Sequence, residues 1–183
     1  MSANLEQQLS AMRRFHESGA TQSYEFRKKQ LLALKQAIID YEAEIYAALF
    51  SDLKKSKEEC WATENGFAMA ELNNTLANLK DWMEPTSVST NLLNMPSSSR
   101  IFREPLGLVL IIGPWNYPFQ LLMTPLIGAI AAGNCVVLKP SEFAPATEAL
   151  MQKMVNAIFP AEYVLYVPGE GAKLIPEMME QTR

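Results

Sequence analysis

The chain has 183 residues, a length that suggests one domain, or one domain with a helical extension. Hydrophobic residues make up 49% and charged residues 20%, which excludes a disordered chain and indicates an ordinary globular protein. The formal net charge of −4 gives no reason to expect a nucleic acid or an anionic membrane as a partner.

The chain has few residues from which to build a metal site or a disulfide framework. Cys60 and Cys135 fall in separate predicted elements, so we expect no disulfide and a reducing, cytoplasmic environment. His16 is the only histidine, so we predict no metal site and no Ser-His-Asp triad. The amino terminus lacks the apolar core of a signal peptide, and the apolar stretch 121–132 is too short to span a membrane.

The first 85 residues are predicted to be helical. Apolar residues recur at spacings of three and four over 24–49, which predicts one long amphipathic helix. Ser56 and Glu59 have the spacing of a capping box and open a second long helix. That helix runs to about Met83, because Pro85 stops it.

A polar segment, TSVSTNLLNMPSSS, follows the helices. It carries no charge, and Val88, Leu92 and Leu93 give it some strand character. We therefore predict that residues 86–103 form a polar strand or hairpin that bridges two parts of the structure.

The second half of the chain alternates between strand and helix patterns. The predicted strands cover 106–112, 135–140 and 163–169, and the predicted helices cover 118–132, 145–159 and 172–180. Three strand-helix units with apolar strands are typical of a parallel sheet covered by helices. The sequence thus predicts an α/β fold in which an amino-terminal helical layer precedes the first half of a Rossmann-like parallel sheet, residues 104–183.

Three polar turns follow the three predicted strands: GPWN at 113–116, KPSE at 139–142 and PGEG at 168–171. In a parallel α/β sheet, ligands bind at the carboxyl ends of the strands. Because all three turns fall at that edge, their convergence is a stronger signal than any one of them. PGEG alone is weak, since it is not a G-x-G-x-x-G motif.

Asn116 has two interpretations. In the structural one, Gly113 and Pro114 form a tight turn and Asn116 caps the following helix. In the functional one, its carboxamide donates a hydrogen bond to a developing oxyanion, an interaction typically worth ~2.7–4 kcal/mol.

Lys139 and Glu142 also have two interpretations. Lys139 is either a solvated strand end, or its ammonium and the Glu142 carboxylate bind the hydroxyls of a ribose. Neither Cys60 nor Cys135 has a nearby base in the sequence, so both are expected to be small core residues. The chain therefore contains no convincing nucleophile.

The stretch EPLGLVLIIGPWNYPFQLLMTPLIGAIAAGNCVVLKPSE closely resembles the aldehyde dehydrogenase superfamily. The sequence EPLG…PWNYP and the long helical segment before it are most similar to the class 3, or fatty aldehyde, branch. The resemblance covers essentially the whole chain. It implies an NAD(P)-dependent oxidoreductase that converts an aldehyde to a carboxylic acid through a cysteine thiohemiacetal. It also implies a small-molecule aldehyde substrate and a homo-oligomer, with a homodimer as the expected form.

The resemblance assigns roles residue by residue. Asn116 matches the family asparagine whose amide helps to hold the oxyanion, and Lys139 and Glu142 match the residues that grip the adenosine ribose. Backbone that lines the cofactor cleft is matched by Ile112, Gly113, Pro114 and Trp115, and Ser141 lies in the same loop as the ribose pair. Glu142 favours NAD over the alternative NADP, since a carboxylate repels a 2′-phosphate.

Other family features are not found in this sequence. The cysteine nucleophile and the general-base glutamate belong to positions beyond Arg183, and Cys135 does not match the nucleophile motif. We therefore expect the 183-residue chain to be inactive by itself and the oxidation to belong to a full-length parent. The alternative is a non-catalytic nucleotide-binding or interaction fragment.

Overall fold

The computed structural model describes residues 3–181. The helices are α1 (Ala3–Glu17), α2 (Tyr24–Asp40), α3 (Glu42–Leu53), α4 (Lys57–Cys60), α5 (Gly66–Met83), α6 (Gln120–Ala131), α7 (Pro145–Ile158) and α8 (Gly171–Gln181). A π-helical turn, Trp61–Asn65, joins α4 to α5, and a 3₁₀ turn spans Leu92–Asn94. The strands are β1 (Thr86–Val88), β2 (Ser99–Ile101), β3 (Leu108–Ile112), β4 (Cys135–Lys139) and β5 (Val164–Tyr166).

The amino-terminal helices agree with the sequence pattern except at Tyr41 and at the π turn Trp61–Asn65, which interrupts the predicted second helix. The single helix predicted over 24–49 is wrong, because α2 ends at Asp40 and α3 begins at Glu42, with Tyr41 at φ −94° and ψ 7° between them. The buried stripe continues through both helices, so apolar spacing alone does not register the break. The predicted start at Ser56 is confirmed, since its hydroxyl accepts a hydrogen bond from Glu59 N at 3.2 Å.

The second half forms the predicted parallel sheet, in the order β3-β4-β5. Leu108 is aligned with Cys135 and Val136 with Val164. All five residues of the central strand β4 are buried, and full burial of a Val or Leu side chain contributes about 1.5–3 kcal/mol. The α/β class is therefore confirmed. Separately, β1 and β2 pair antiparallel within the segment where a strand or hairpin was predicted.

Helices cover this sheet in two layers. Helices α1 and α6 contact β3 and β4, and α7 contacts β5, while α2, α3 and α5 pack behind α6 and α7. Asp52, in α3, ties the layers together by accepting hydrogen bonds from Ala146 N at 3.1 Å and Thr147 N at 2.8 Å. These are unpaired N–H groups in the first turn of α7, so α3 provides the cap that Ala144 cannot. Within residues 3–181, no helix is long and apolar enough to cross a bilayer.

Strand β3 lies at an edge of the sheet. It pairs with β4 on one side, and no other strand of residues 3–181 pairs with its second side. Leu108, Val109 and Leu110 are half-buried, and Ile112 is 44% exposed. An apolar edge strand without charge or proline is a template for pairing with another chain.

We predict that the 183-residue chain self-associates through the free edge of β3. Ile112→Lys should shift the population toward monomer, because a charge on an edge strand discourages pairing. Light scattering after size exclusion, over a dilution series, measures this shift. The matched control is Leu106→Lys, which removes an apolar side chain that is 92% exposed but lies outside the strand. A wild-type chain that stays monomeric at high concentration contradicts the prediction.

Candidate functional site

The three polar turns predicted from the sequence meet at one edge of the sheet. Strands β3, β4 and β5 are parallel, and their carboxyl ends are adjacent. Gly113 N donates to Lys139 O at 2.9 Å, and Val167 N donates to Leu138 O at 2.8 Å. The GPWN, KPSE and PGEG turns therefore begin side by side, and the predicted convergence is confirmed.

Lys139 is a buried residue at the end of β4, with a side chain that is 1% exposed. Its ammonium donates to Pro140 O and, at 3.2 Å, to Glu142 Oε2. The interpretation of Lys139 as a solvated strand end is therefore wrong. The charge is kept inside the protein because a carboxylate and a carbonyl compensate its desolvation.

Glu142 links the turn after β4 to the first residue of α8. Its Oε1 accepts from Gly171 N at 2.8 Å, while Oε2 faces Lys139. Hydrogen bonds from its own backbone N–H and from Gly171 N–H hold the pKa of Glu142 below its ordinary value, and Lys139 adds to this effect. Ser141, in the same turn, is buried and its hydroxyl accepts from Phe143 N at 3.3 Å.

Two N–H groups of the PGEG turn donate to carboxylates of this chain. Gly169 N donates to Glu148 Oε1 at 3.0 Å, and Gly171 N donates to Glu142. A phosphate could use these two N–H groups only by displacing both carboxylates. The structure thus agrees with the interpretation that PGEG is only a weak signal for phosphate binding.

Asn116 lies on the loop between β3 and α6, and its side chain is exposed. It does not cap the helix, since the cap position of α6 is Phe119 and no side chain bonds there. Its backbone oxygen accepts from Lys55 Nζ at 3.0 Å. The carboxamide is therefore held on a fixed backbone and faces solvent, which leaves its N–H groups available to a ligand.

The other residues predicted around the cleft flank this loop. Pro114, Trp115 and Ile112 are exposed, with Trp115 at 56%. Gly113 is buried, and a Cβ at this position would lie 2.8 Å from Leu122 Cδ1. A side chain at residue 113 would therefore require the Leu122 side chain to shift.

Both cysteines are core residues, as predicted. Cys60 and Cys135 are each 0% exposed and free. Burial raises the pKa of Cys135 to about 12. Burial also raises the pKa of Cys60, and the neighbouring Glu64 adds to the rise. Neither is a thiolate at neutral pH, so neither is suited to nucleophilic attack.

Two residues that touch this site were missed by the sequence analysis. Lys55 and Glu64 are buried and form an ion pair beneath the loop that carries Asn116. No sequence motif connects Lys55 to Asn116, which is 61 positions away. The contact between Glu142 and Gly171 was also missed, although both residues stand in turns that the sequence had placed at this edge.

A parallel sheet with three ligand-type turns on one edge defines half of a doubly wound nucleotide-binding domain. The sequence model that represents the aldehyde dehydrogenase family matches residues 2–183 of this chain. The chain belongs to the aldehyde dehydrogenase family.

Known relatives agree with this assignment. Aldehyde dehydrogenase family 3 member B1 of Mus musculus is 45% identical over 152 residues, which is 83% of this chain and 32% of the relative. The substrate-bound state of AldH from Staphylococcus aureus has a TM-score of 0.89 at 40% identity, over 97% of this chain and 37% of that one. The resemblance to the class 3 branch is thus confirmed.

A more distant structure is that of betaine aldehyde dehydrogenase from Staphylococcus aureus, in complex with NAD+. It superimposes with a TM-score of 0.80 at 26% identity, over 95% of this chain and 35% of that one. The chain spans about a third of the length of the proteins it matches.

We predict that the Glu142 carboxylate stabilises the fold at neutral pH and loses this effect in acid. Because its folded pKa is lowered, the contribution is complete above the unfolded value of about 4.3 and disappears as pH falls through the folded value. Glu142→Gln should reduce the free energy of unfolding by about 1 kcal/mol at pH 7. Urea unfolding at one fixed protein concentration, from pH 7 to pH 3, measures the difference.

The matched control for this pH series is Glu170→Gln, which removes an exposed carboxylate paired with Lys173. An exposed pair contributes little, so this variant should follow the wild type at every pH. A Glu142→Gln difference that stays constant down to pH 3 contradicts the prediction.

Proposed function

We propose that this chain forms the first half of the NAD(P)-binding domain of an enzyme that oxidises an aldehyde to a carboxylic acid. The observation that carries the proposal is the ion pair between buried Lys139 and half-buried Glu142 at the carboxyl end of β4, beside the loop that exposes Asn116. Family membership supports the reaction class. The NAD+ complex of the betaine aldehyde dehydrogenase supports a nicotinamide cofactor.

In this proposal Lys139 and Glu142 bind the adenosine ribose. An ammonium has three N–H donors, and Pro140 O and Glu142 occupy two of those of Lys139. The third is available to a hydroxyl, and the carboxylate can accept from one. Lys139 is 1% exposed and Glu142 is 29% exposed, so the carboxylate is the more accessible partner of the pair for a ribose hydroxyl.

The cleft wall is proposed to be the backbone of Ile112, Gly113, Pro114 and Trp115, with Ser141 in the turn opposite. The bond from Gly113 N to Lys139 O supports this arrangement, since it places the GPWN turn against the end of β4. Glu142 favours NAD over NADP, because a carboxylate at the ribose repels a 2′-phosphate. When bound, the nicotinamide accepts a hydride from the substrate.

Asn116 is proposed to stabilise the oxyanion. Attack of a thiolate on an aldehyde carbonyl turns the carbonyl oxygen into an alkoxide, and a carboxamide N–H can donate to it. The exposed side chain on an anchored backbone suits this role. Within the described residues, Cys60 and Cys135 are excluded as the attacking thiolate by their burial and raised pKa values.

The proposal also covers the domain boundaries of the chain and its location in the cell. We assign residues 1–85 to the helical part of the cofactor domain, 86–103 to a bridging segment and 104–183 to the first half of the Rossmann-like domain. The two free, buried thiols support a reducing compartment, and we propose the cytoplasm. Assembly as a homo-oligomer is proposed from family membership.

We predict that NAD binds the 183-residue chain weakly and through Lys139. A hydrogen bond to a charged group is typically worth about 1.5–3 kcal/mol, so Lys139→Ala should weaken binding roughly tenfold or more. Isothermal calorimetry with NAD measures both proteins. Lys153→Ala is the control, since Lys153 is exposed and paired with Glu44. Micromolar affinity that survives Lys139→Ala places the cofactor elsewhere.

We predict that this chain produces no NADH from NAD and an aldehyde, because neither of its cysteines is an accessible thiolate. Absorbance at the NADH band, with short and long aldehydes, checks this. A double variant, Cys60→Ala and Cys135→Ala, serves as the comparison. Turnover in that variant would show that the nucleophile is not a cysteine.

A further inference from the structure

We propose that Lys55 and Glu64 are positioning residues that hold the loop carrying Asn116, which we define as residues 113–119. The inference rests on the oxyanion role proposed above for Asn116. Neither residue touches the reacting atoms in this scheme. They act through the backbone of the loop.

The Asn116 loop is anchored at its two ends, where Gly113 N donates to Lys139 O at 2.9 Å and the Phe119 side chain is 0% exposed. It adopts no regular secondary structure between β3 and α6, and Asn116 and Tyr117 are exposed. The helix that follows begins at Gln120 without a side-chain cap at Phe119. The exposed middle of the loop, Asn116 and Tyr117, therefore depends on contacts from another part of the chain.

Glu64 makes the contact at the end of the loop. Its side chain is 0% exposed, and its Oε2 accepts from Gln120 N at 2.9 Å. An N–H in the first turn of a helix has no partner within the helix. Glu64, which belongs to a different helix, therefore caps α6. A carboxylate is also favoured at a helix amino terminus by the helix dipole.

Lys55 makes the contacts at the middle of the loop. Its Nζ lies 2.5 Å from Glu64 Oε1 and donates to Asn116 O at 3.0 Å. The same Nζ lies 4.0 Å from the centre of the Tyr117 ring, a cation–π distance. One ion pair thus reaches three successive points of the segment: Asn116, Tyr117 and Gln120.

The helix that carries Glu64 is irregular at this point. Trp61–Asn65 form a π turn, which Gly66 N closes by donating to Trp61 O. A Cβ at residue 66 would lie 2.1 Å from Trp61 O, so only glycine fits the turn as it stands. Such turns are rare in helices and often occur at functional sites. Here the turn is associated with the burial of Glu64 and Asn65 together.

Stability alone does not account for this pair. Desolvation of two charges offsets most of their attraction, and the best attested use of a buried ion pair is to select one geometry. Burial raises the pKa of Glu64, and the hydrogen bonds from Lys55 and Gln120 oppose that rise. The ion pair therefore keeps Glu64 charged at a buried position from which its carboxylate accepts from Gln120 N.

The test is made on the 183-residue chain with Lys55→Met, which removes the ammonium and keeps a long unbranched side chain. Selective ¹⁵N labelling of asparagine reports the Asn116 side-chain amide, and hydrogen exchange with mass spectrometry reports residues 113–121. We expect the Asn116 signal to shift and Gln120 N–H to exchange at least tenfold faster. Exchange at Gly171 N–H, in the Glu142 cluster, should not change.

The matched control is Lys153→Met. Lys153 also pairs with a glutamate, Glu44 at 2.8 Å, and also faces a ring, Tyr41 at 5.0 Å, but neither belongs to the Asn116 loop. Lys55→Arg retains the cation and should restore the Asn116 signal toward its wild-type position. Rescue of this kind distinguishes a positioning role of the Lys55 charge from a packing role of the Lys55 side chain.

If Lys55→Met does not fold, Glu64→Gln decides the question with the same two measurements. It keeps the shape and the acceptor for Gln120 N but removes the charge that holds Lys55. A folded variant whose Asn116 signal and exchange rates equal those of the wild type overturns the inference.

Calorimetry with NAD on the same proteins separates this inference from the proposed function. If the wild type binds NAD and the loop does not respond to Lys55→Met or Glu64→Gln, only the positioning role fails. If the loop responds and the wild type binds no NAD, the cofactor site fails while the structural link from Lys55 to Asn116 stands.

Discussion

Parallel pairing of three apolar strands is the constraint on which the rest of this molecule depends. Parallel strands place all their carboxyl ends at one edge, so turns that are far apart in the chain become neighbours. The bond from Gly113 N to Lys139 O and the bond from Val167 N to Leu138 O close that edge. The buried strand β4 lies at the centre and holds the other two in register. Every residue proposed for the ligand site lies in a turn at this edge or directly beside one.

Two buried ammonium groups in this framework are compensated by carboxylates. Lys139 is matched by Glu142, and Lys55 is matched by Glu64. In each pair the carboxylate also accepts from the first turn of a helix, at Gly171 in one case and at Gln120 in the other. One pair thus connects the end of β4 to the start of α8, and the other connects the loop after β3 to the start of α6.

The sequence predicted the architecture well where the signal was local. Apolar strands alternating with helices indicated a parallel sheet, and the Ser56 cap and the stop before Pro85 were read correctly. The break at Tyr41 was missed, because the buried stripe runs on through both helices. For Asn116 the sequence left two roles open. The structure removes the capping role, since the helix begins four residues later without a side-chain cap.

The sequence by itself determined the fold class, the family resemblance and the edge at which a ligand site should form. These follow from periodicity and from short motifs, which depend on neighbouring residues. Only the tertiary structure decided that Lys139 is buried rather than solvated, that Glu142 reaches Gly171, and that Lys55 lies beneath Asn116. The contact of Glu142 with Gly171 and that of Lys55 with Asn116 join positions that are 29 and 61 residues apart. No local pattern encodes them, because they depend on how distant elements pack against one another.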